Sequence, residues 1–373
     1  PGTVNSALES IRTYTHLPMT TTLPTWLVDA KGLPNPQELL PCRSLNLHIP
    51  SSKTYRATPT LFTTNALDFD YDPEAPEPIE WLTFLDSLWP EDPDSIALLQ
   101  EWFGYCLTAD TSQHKMLLLV GPRRSGKGTI GRILTKLIGS SNVAGPTTGS
   151  LAGTFGLQPL IGKSLAIVSD ARFTGQDIGT VVERLLCISG EDTLTIDRKH
   201  KESVTMKLIS RFMLLTNELP RLTDASNALA GRFMLLEINQ SWFGREDLGL
   251  LGRLEQELPG ILLWALQGWV RLRKQGRFIQ PAASQDAISE LEDLCSPVSA
   301  FVKQRCLVGR EQRVYLDDLY NAWQAWCQSE GRNIITTKQT FGRDLLAAVP
   351  GIKKHRNHTP GGGRFYTGIG LDL

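Results

Sequence analysis

The chain has 373 residues, of which 41% are hydrophobic and 21% charged, and its formal net charge is −1. This composition is typical of a globular protein with room for two or three domains, and it excludes a mainly disordered chain. The near-neutral charge also excludes a basic surface over the whole molecule, so contacts to nucleic acid must come from local clusters of cations.

The cysteines and the hydropathy pattern bear on the compartment. The six cysteines are far apart and include no Cys-x-x-Cys pair, which argues against a zinc site and predicts reduced thiols. No apolar run approaches the ~20 residues of a membrane span, and no secretory signal opens the sequence. We therefore expect a cytoplasmic protein without a membrane partner. Because the first residue is Pro1, we also expect a fragment of a longer polypeptide.

The first predicted region, residues 1–108, contains a hairpin, an acidic linker and helices. Short apolar runs among prolines and threonines up to about residue 65 are typical of a small hairpin. The acidic, proline-rich run of residues 68–78 favours a linker. A metal site is the alternative there, built from Asp68, Asp70 and Asp72. The apolar pattern from Ile79 to Tyr105 predicts a helical stretch, and the whole region is a candidate oligomerisation collar.

A strand, a glycine-rich loop and a helix are predicted next. Five apolar residues, 116–120, precede the sequence GPRRSGKGT, and an apolar helical face follows it. Such a loop points backbone N–H groups at one spot, where the helix dipole also favours negative charge. Lys127 adds a point charge for the β- and γ-phosphates. The pattern predicts a nucleoside triphosphate site made of Gly121, Pro122, Arg123, Arg124, Ser125, Gly126, Lys127, Gly128 and Thr129.

The loop departs from the usual pattern after its lysine. Gly128 stands where a serine or threonine would ligate Mg²⁺, and the hydroxyl comes one residue later, on Thr129. We expect Thr129 to lie near the α-phosphate, and Mg²⁺ to depend on waters and on a carboxylate from a neighbouring strand. The same Gly-Lys-Gly-Thr order occurs in nucleoside monophosphate kinases, so the loop alone leaves the reaction open.

Apolar strands recur at residues 165–168, 212–215 and 233–238, between helical and hairpin patterns, which indicates an α/β sheet. Asp170 follows the first strand, where a carboxylate that organises Mg²⁺ belongs, although an aspartate that caps a turn also fits. Asn217 follows the second strand. Its amide could orient the attacking water, although asparagine is also common in turns.

A charged hairpin is predicted between these strands. Leu194 and Ile196 alternate on one strand, and Val204, Met206 and Leu208 on the next. The tip then carries the basic residues Arg198, Lys199, His200 and Lys201. Cations at a projecting tip can engage phosphates without reading bases. The alternative is an ordinary charged surface turn.

From Ser296 onward the pattern of helix, helix and glycine-rich hairpin suits a small winged-helix domain. Residues 336–349 predict a recognition helix with Lys338 and Arg343 available to solvent. A basic wing is predicted from Lys353, Lys354, His355, Arg356, Gly361, Gly362, Gly363 and Arg364. Duplex or origin binding and a purely packing or protein-contact role both remain open for this domain.

These motifs resemble the superfamily 3 helicases, and most closely the phage/plasmid primase-helicase family. The resemblance runs from about residue 60 to the C-terminus. Its most specific stretches are SDAR (169–172), SGEDTLTIDRKHK (189–201), LLTNELP (214–220) and ELPGILLWALQGW (257–269). It implies a P-loop, AAA+-like α/β core, a mainly helical N-terminal region and a C-terminal winged-helix domain. The implied boundaries are 1–108, 109–245 for the ATPase core, 246–285 for a helical extension and 286–373.

Carried onto matching positions, the resemblance assigns roles to five residues. Lys127 would hold the phosphates, Asp170 would be the Walker B acid and Asn217 the sensor asparagine. Arg232 matches an arginine finger that enters the ATP site of the adjacent subunit, and Arg184 matches a second trans-acting arginine. A solvated surface charge is the alternative for both arginines.

The resemblance is incomplete at the water-activating base. Many relatives place a second acid beside the Walker B aspartate, but here its neighbours are Ser169 and Ala171. Glu183 or an acid outside the motifs could serve, or Asn217 and Asp170 could suffice by positioning the water. The base is therefore unassigned.

We expect an ATP-dependent, Mg²⁺-requiring replicative DNA helicase of a phage, prophage or plasmid, in the cytoplasm of a bacterial host. It would form a homo-hexameric ring and move 3′ to 5′, with single-stranded and forked DNA as partners and a primase or polymerase as a further candidate. The alternatives are a DNA-binding initiator that uses ATP only to assemble, and a P-loop nucleotide kinase. Residues 1–108 show no cluster of carboxylates suited to polymerisation, so we predict no primer synthesis.

Overall fold

The computed structural model describes residues 2–18, 21, 23–173, 177–220, 222, 228–332, 336–356 and 363–372. A five-stranded parallel sheet lies at the centre of the fold, between two hydrophobic cores. Antiparallel sheets of two or three strands precede and follow it along the chain. Within these ranges, no helix is long and apolar enough to cross a membrane.

The N-terminal region contains more strand than predicted. Helix α1 (Gly2–Tyr14) comes first, followed by the short strands β1 (Thr25–Trp26), β2 (Leu39–Pro41), β3 (Leu45–His48), β4 (Lys53–Arg56) and β5 (Leu61–Phe62). Strands β2, β3 and β4 form an antiparallel sheet and β1 pairs with β5, so the predicted hairpin is part of a larger unit. The prediction of a mainly helical region is wrong for residues 25–62. As a strand, the short run around Leu47 points alternate side chains to opposite faces of the sheet, which lets Leu47 be buried.

The acidic segment of residues 68–78 contains no helix or strand, as expected for a linker. Its Asp70 carboxylate accepts hydrogen bonds from the backbone N–H and the hydroxyl of Ser44, at 2.7 and 2.6 Å. The described residues hold no group of three or more His, Cys, Asp or Glu side chains that could bind a metal ion. The segment is therefore tied to the start of β3.

Two helices, α2 (Ile79–Leu88) and α3 (Pro93–Cys106), form where the pattern predicted one stretch. The break falls at Pro90, which has no backbone N–H to continue a helix. Asp92 then caps α3, because its carboxylate accepts a hydrogen bond from the backbone N–H of Ser95 at 3.1 Å.

The central unit follows in the predicted α/β order. Its elements are β6 (Met116–Val120), α4 (Lys127–Ile138), β7 (Val143–Ala144), α5 (Thr148–Ala152), β8 (Leu165–Val168), α6 (Ile178–Ser189), β9 (Thr193–Arg198), β10 (Lys201–Lys207), β11 (Arg211–Thr216) and β12 (Phe233–Glu237). The parallel sheet has the order β12-β6-β11-β8-β7, and its strands are mostly apolar because both faces are buried, with Arg211 and Thr216 at the ends of β11 and Glu237 at the end of β12. The three predicted strands are confirmed: β8 has the predicted bounds, both ends of β11 lie one residue further out, and β12 ends one residue earlier than predicted.

Three helices complete this unit: α7 (Leu250–Gln256), α8 (Leu258–Gln275) and α9 (Gln285–Cys295). Helix α8 packs very closely against α3, since a Cβ atom at Gly104 or Gly268 would overlap the backbone of the other helix. Helix α9 instead buries Leu291 in the core on the opposite face of the sheet. Helices α3, α4 and α8 thus cover one face, and α6 and α9 cover the other.

The C-terminal unit has its own core. Its elements are α10 (Pro297–Arg305), β13 (Cys306–Tyr315), α11 (Leu316–Ser329), α12 (Lys338–Ala348), β14 (Lys353–Arg356) and β15 (Arg364–Leu371). The strands form an antiparallel sheet in the order β13-β15-β14. Its largest buried side chains are Phe301, Trp323, Trp326, Phe341 and Tyr366. The sequence pattern missed β13 because that strand is mostly exposed and carries charged residues in its middle.

Candidate functional site

The loop of residues 121–126 joins the carboxyl end of β6 to the start of α4. The backbone N–H of Gly121 donates to the Thr216 carbonyl oxygen at 3.2 Å, which ties the loop to the neighbouring strand. Gly126 has a φ of 91°, and a Cβ atom there would lie 3.1 Å from Phe84. A side chain is disfavoured by both the backbone conformation and the space. The predicted strand, loop and helix are present in the predicted order.

Backbone donors are available where the loop enters α4. Within the described residues, no acceptor takes a hydrogen bond from the N–H groups of residues 124–128, and no side chain caps the helix. The first turn of any helix leaves such donors unsatisfied, and the helix dipole adds partial positive charge at the same end. This arrangement suits an anion such as a phosphate.

The Lys127 side chain lies at the floor of this loop and is only 8% exposed. Its Nζ donates to the carbonyl oxygens of Gly121 and Pro122 at 2.5 and 2.8 Å, and to Ser125 Oγ at 3.0 Å. Burial lowers the pKa of Lys127, and the charge of Asp170 partly opposes that shift. A buried ammonium group among neutral oxygens attracts an anion strongly.

The strand ends bring the predicted polar residues towards this lysine. Strand β11 lies between β6 and β8 in parallel register, so the residues after all three strands share one edge of the sheet. The Asn217 side-chain oxygen is 3.4 Å from Lys127 Nζ. Asp170 has a φ of 53° and lies on the same cleft, where its carboxylate pairs with Arg172 at 3.0 Å. The structure therefore brings Lys127, Asp170 and Asn217 together.

Oxygen donors on this cleft fit a magnesium ion that arrives with a nucleotide. Asp170 offers an exposed carboxylate and Thr129 a hydroxyl, and both line the cleft. Mg²⁺ commonly uses one or two protein carboxylates and fills its other positions with waters and substrate phosphates. When bound, such an ion would neutralise phosphate charge, with Asp170 and Thr129 as the residues that would hold it. The sequence prediction of this donor set is compatible with the geometry.

The cleft extends well beyond the phosphate loop, to a volume of about 1010 Å³. Its further walls include Phe84 from α2 and Trp242 from the segment after β12. That segment is fixed to the loop, because Trp242 N–H donates to the Arg124 carbonyl at 3.0 Å and Arg124 pairs with Glu246 at 3.3 Å. An apolar and aromatic wall beside a phosphate site fits a nucleobase. The sequence analysis missed these residues, which look like ordinary core positions.

The two predicted trans-acting arginines lie away from this cleft. Arg232 precedes β12, whose first residue pairs with Met116, so it sits at the opposite edge of the sheet. There it donates to the His114 and Ser189 carbonyl oxygens at 3.4 and 3.3 Å. Arg184 donates to the carbonyl oxygens of Leu151 and Gly153, the latter at 2.8 Å. Neither arginine meets the phosphate loop of its own chain.

The predicted hairpin is present as β9 and β10, with Arg198 paired to Lys201. Lys199 and His200 therefore form the two-residue turn, and both are exposed. His200 has a φ of 59°, in the left-handed region of backbone conformation that residues other than glycine adopt mainly in turns. The Lys199 backbone N–H donates to the Gln158 side chain at 2.9 Å, which braces the tip. The arrangement leaves two basic side chains at the tip free for solvent or ligand.

The basic residues of the C-terminal unit differ in how free they are. Lys338 is exposed to solvent, as the sequence predicted, and pairs with Asp317 at 2.6 Å. Arg343 is 78% exposed and lies 3.2 Å from Asp344. All four residues of β14, which include Lys353, Lys354 and Arg356, are exposed. The predicted wing residues Gly361 and Gly362 lie outside the described residues.

Two protein families match parts of this chain. Residues 119–232, from the end of β6 to the start of β12, match a family of unknown function, DUF5906. Residues 296–362, which hold α10, α11 and α12, match the Poxvirus D5 protein-like family. The first match contains the phosphate loop and the hairpin, and the second contains the C-terminal helices.

Solved structures of the NrS-1 C-terminal region resemble this chain. One apo structure of that region (305-718) aligns with a TM-score of 0.57 at 15% identity, over 98% of this chain and 90% of the other. A second apo structure, its A form, aligns with a TM-score of 0.49 at 17% identity, over 94% and 78% of the two chains. The first alignment shows that this chain has the fold of the NrS-1 C-terminal region over nearly its whole length.

Proposed function

We propose that this chain is the ATPase and DNA-translocating part of a replicative helicase from a phage, prophage or plasmid. The observation that carries the proposal is the cleft in which Lys127, Asp170 and Asn217 meet at free backbone donors. The match of the C-terminal residues to the Poxvirus D5 protein-like family supports it, as does the sequence resemblance to phage and plasmid primase-helicases. The fold would then be a P-loop, AAA+-like superfamily 3 core with a winged-helix domain.

The proposed reaction is hydrolysis of ATP, with Mg²⁺ bound alongside the phosphates. Lys127 and the loop N–H groups would neutralise phosphate oxygens, and more strongly as charge develops in the transition state. Asn217 lies 3.4 Å from Lys127 and is exposed to the cleft, so it would orient the attacking water. Since Ser169 and Ala171 flank Asp170, the proposal relies on positioning of that water rather than on a dedicated second acid.

The position of Arg232 supports the proposed assembly into a ring. Because it lies at the opposite edge of the sheet from Lys127, it can meet γ-phosphate only in the cleft of a neighbouring copy. A ring of identical subunits, here a hexamer, would place one arginine in every cleft. The hairpin tips with Lys199 and His200 would then contact the DNA backbone in the channel.

The first test measures the steady-state ATPase rate with and without single-stranded DNA, on a sample whose mass is read by light scattering. If the chain is a helicase, DNA should strongly stimulate the ATPase rate, and the mass should be that of a hexamer. A DNA-indifferent rate from an assembled ring would favour the initiator that uses ATP only to assemble. A DNA-indifferent rate from a monomer would favour a kinase-like enzyme and contradict the proposal.

A second test concerns the hairpin. The double variant Lys199→Ala, His200→Ala should keep the DNA-independent ATPase rate, because the tip lies outside the cleft, and should lose unwinding of a forked duplex. Lys207→Ala, which removes an exposed cation from the base of the same hairpin, is the matched control and should unwind normally. Normal unwinding by the double variant would remove the tip from the mechanism.

A further inference from the structure

One face of the C-terminal sheet carries flat and basic side chains in register. Across the sheet, Tyr315, Phe365 and His355 form one row. The next row on that face holds Arg313, Thr367 and Lys353. Side chains alternate between the faces of a sheet, so these two rows, two residues apart on each strand, share one face. Val314 and Tyr366 point to the other face and are buried in the core under the helices.

The flat groups on this outer face contact one another. The Arg313 guanidinium carbon lies 3.9 Å from the centroid of the Phe365 ring. The His355 ring stacks on Phe365 at a centroid distance of 5.1 Å and an interplanar angle of 21°. Tyr315 meets the same ring edge-on at 6.2 Å, and His355 Nε2 lies 3.0 Å from the Thr367 hydroxyl. The row is therefore held in place before any ligand arrives.

The exposure of its side chains distinguishes this row from an aromatic cluster that only stabilises the fold. Tyr315 is 43% exposed, and Arg313, His355 and Lys353 are exposed as well. The two rows contain no carboxylate, so nothing within them neutralises Arg313 and Lys353. Burying aromatic surface is favourable, so a row left open to water is typical of a binding surface. Aromatic side chains interleaved with cations suit bases and phosphates respectively.

We propose that this outer face binds single-stranded nucleic acid by base stacking. His355, on the edge strand β14, and Tyr315, on the edge strand β13, present flat surfaces to unpaired bases, and Arg313 and Lys353 meet the adjacent phosphates. A duplex hides the faces of its bases, so the site selects single strands. The inference rests on the proposed function only in taking nucleic acid as the ligand.

The test uses the full chain, without nucleotide, in the Lys199→Ala, His200→Ala background so that the hairpin does not contribute. Binding of a labelled oligo-dT strand is followed by fluorescence anisotropy. Adding His355→Ala should weaken binding by about 5- to 100-fold, the range for losing one stacked base, and His355→Tyr should restore it. An abasic strand of equal length should bind equally to both variants, because it offers phosphates but no bases.

The matched control is Lys354→Ala, one residue away on the same strand and with its side chain on the other face. It removes a charge but no flat group and lies off the outer face, so it should leave binding of oligo-dT and of the abasic strand, and the salt dependence of both, nearly unchanged. Equal affinity of His355→Ala and its parent for oligo-dT would overturn the proposal, as would an equal loss for the abasic strand.

Failure of this inference and failure of the proposed function give different results. ATP turnover by the chain with an intact hairpin is measured with and without single-stranded DNA, and the outer face should not alter the rate without DNA. Base-dependent binding by a chain with no ATP turnover would support the stacking site and contradict the helicase. DNA-stimulated ATP turnover with no effect of His355→Ala on binding would support the helicase and contradict the stacking site.

Discussion

A buried cation lies at each edge of the central sheet, Lys127 where the strands end and Arg211 where they begin. Among the residues that the structure describes, no carboxylate contacts either cation, yet their surroundings differ. At the carboxyl edge, Lys127 lies on an open cleft of about 1010 Å³ beside free backbone donors. At the amino edge, Arg211 is 4% exposed, beside a cavity of only about 50 Å³. Its guanidinium donates to the Thr108 carbonyl at 2.7 Å and to the Asp110 carbonyl, and lies 4.6 Å from the Tyr105 ring centroid. The space each cation faces, rather than its burial, distinguishes the proposed phosphate site of Lys127 from the structural surroundings of Arg211.

The largest effect is expected for Lys127→Met, which keeps a similar side-chain length and removes the charge. ATP turnover should fall to background, because both phosphate binding and stabilisation of the transition state are lost. Stability should change little, because water in the open cleft can hydrogen-bond to the carbonyl oxygens that the ammonium group leaves. Turnover is measured together with binding of a fluorescent ATP analogue. ATP turnover that stays above a tenth of the parent rate would mean that Lys127, like Arg211, is a structural cation.

Arg232 also lies at the amino edge of the sheet, and its proposed role is in the cleft of a neighbouring subunit. Arg232→Ala should still bind ATP but lose turnover by on the order of 10³-fold, as expected for an arginine finger. Mixing it with Asp170→Ala protein should restore part of the rate, because some clefts then combine an intact Asp170 with an intact neighbouring arginine. An absence of rescue at every mixing ratio would contradict the trans assignment and leave Arg232 a structural residue.

Arg211→Met tests whether the buried cation at the amino edge of the sheet is structural. It leaves the Thr108 and Asp110 carbonyl oxygens without a buried donor, which should lower stability by about 2 kcal/mol. The urea midpoint of unfolding measures this, and the exposed Arg277→Met is the control that should not shift it. Turnover per folded molecule should be unchanged. A normal midpoint with reduced turnover would mean that Arg211 also serves the ATP site.

The positions that the sequence predicted well are those that depend on the order of strand, loop and helix, whereas the roles of these residues stay predictions. Lys127 follows directly from strand, loop and helix, and Asp170 and Asn217 from the shared edge of parallel strands. Phe84 and Trp242 join the cleft from distant segments, so no local pattern marked them. The same applies to β13, an exposed edge strand without an apolar run.

Arg184 shows a different limit of the sequence. Its position off the apolar face of α6 indicated a free cation, since helical periodicity reports only which side of a helix is buried. The structure instead places its guanidinium on the carbonyl oxygens of Leu151 and Gly153, more than 30 residues earlier in the chain. Hydrogen bonds to backbone atoms at that separation leave no mark in the residue types. Its proposed role between subunits therefore competes with a role in fixing the end of α5.

The smallest expected effect is a pH dependence of nucleotide binding at Lys127, which lies on the open cleft at the carboxyl edge of the sheet. Burial lowers the pKa of Lys127, so its ammonium loses the proton at a lower pH than the ordinary lysine value of 10.5. Phosphates bind the protonated form, so affinity for an ATP analogue should fall as the pH rises from 8 towards 10.5, where the phosphates themselves are already fully ionised. Titration of binding over this range measures the effect, and the weak binding of Lys127→Met should be flat. A parent profile as flat as that of the variant would mean that the loop N–H groups bind the phosphates without help from the lysine charge.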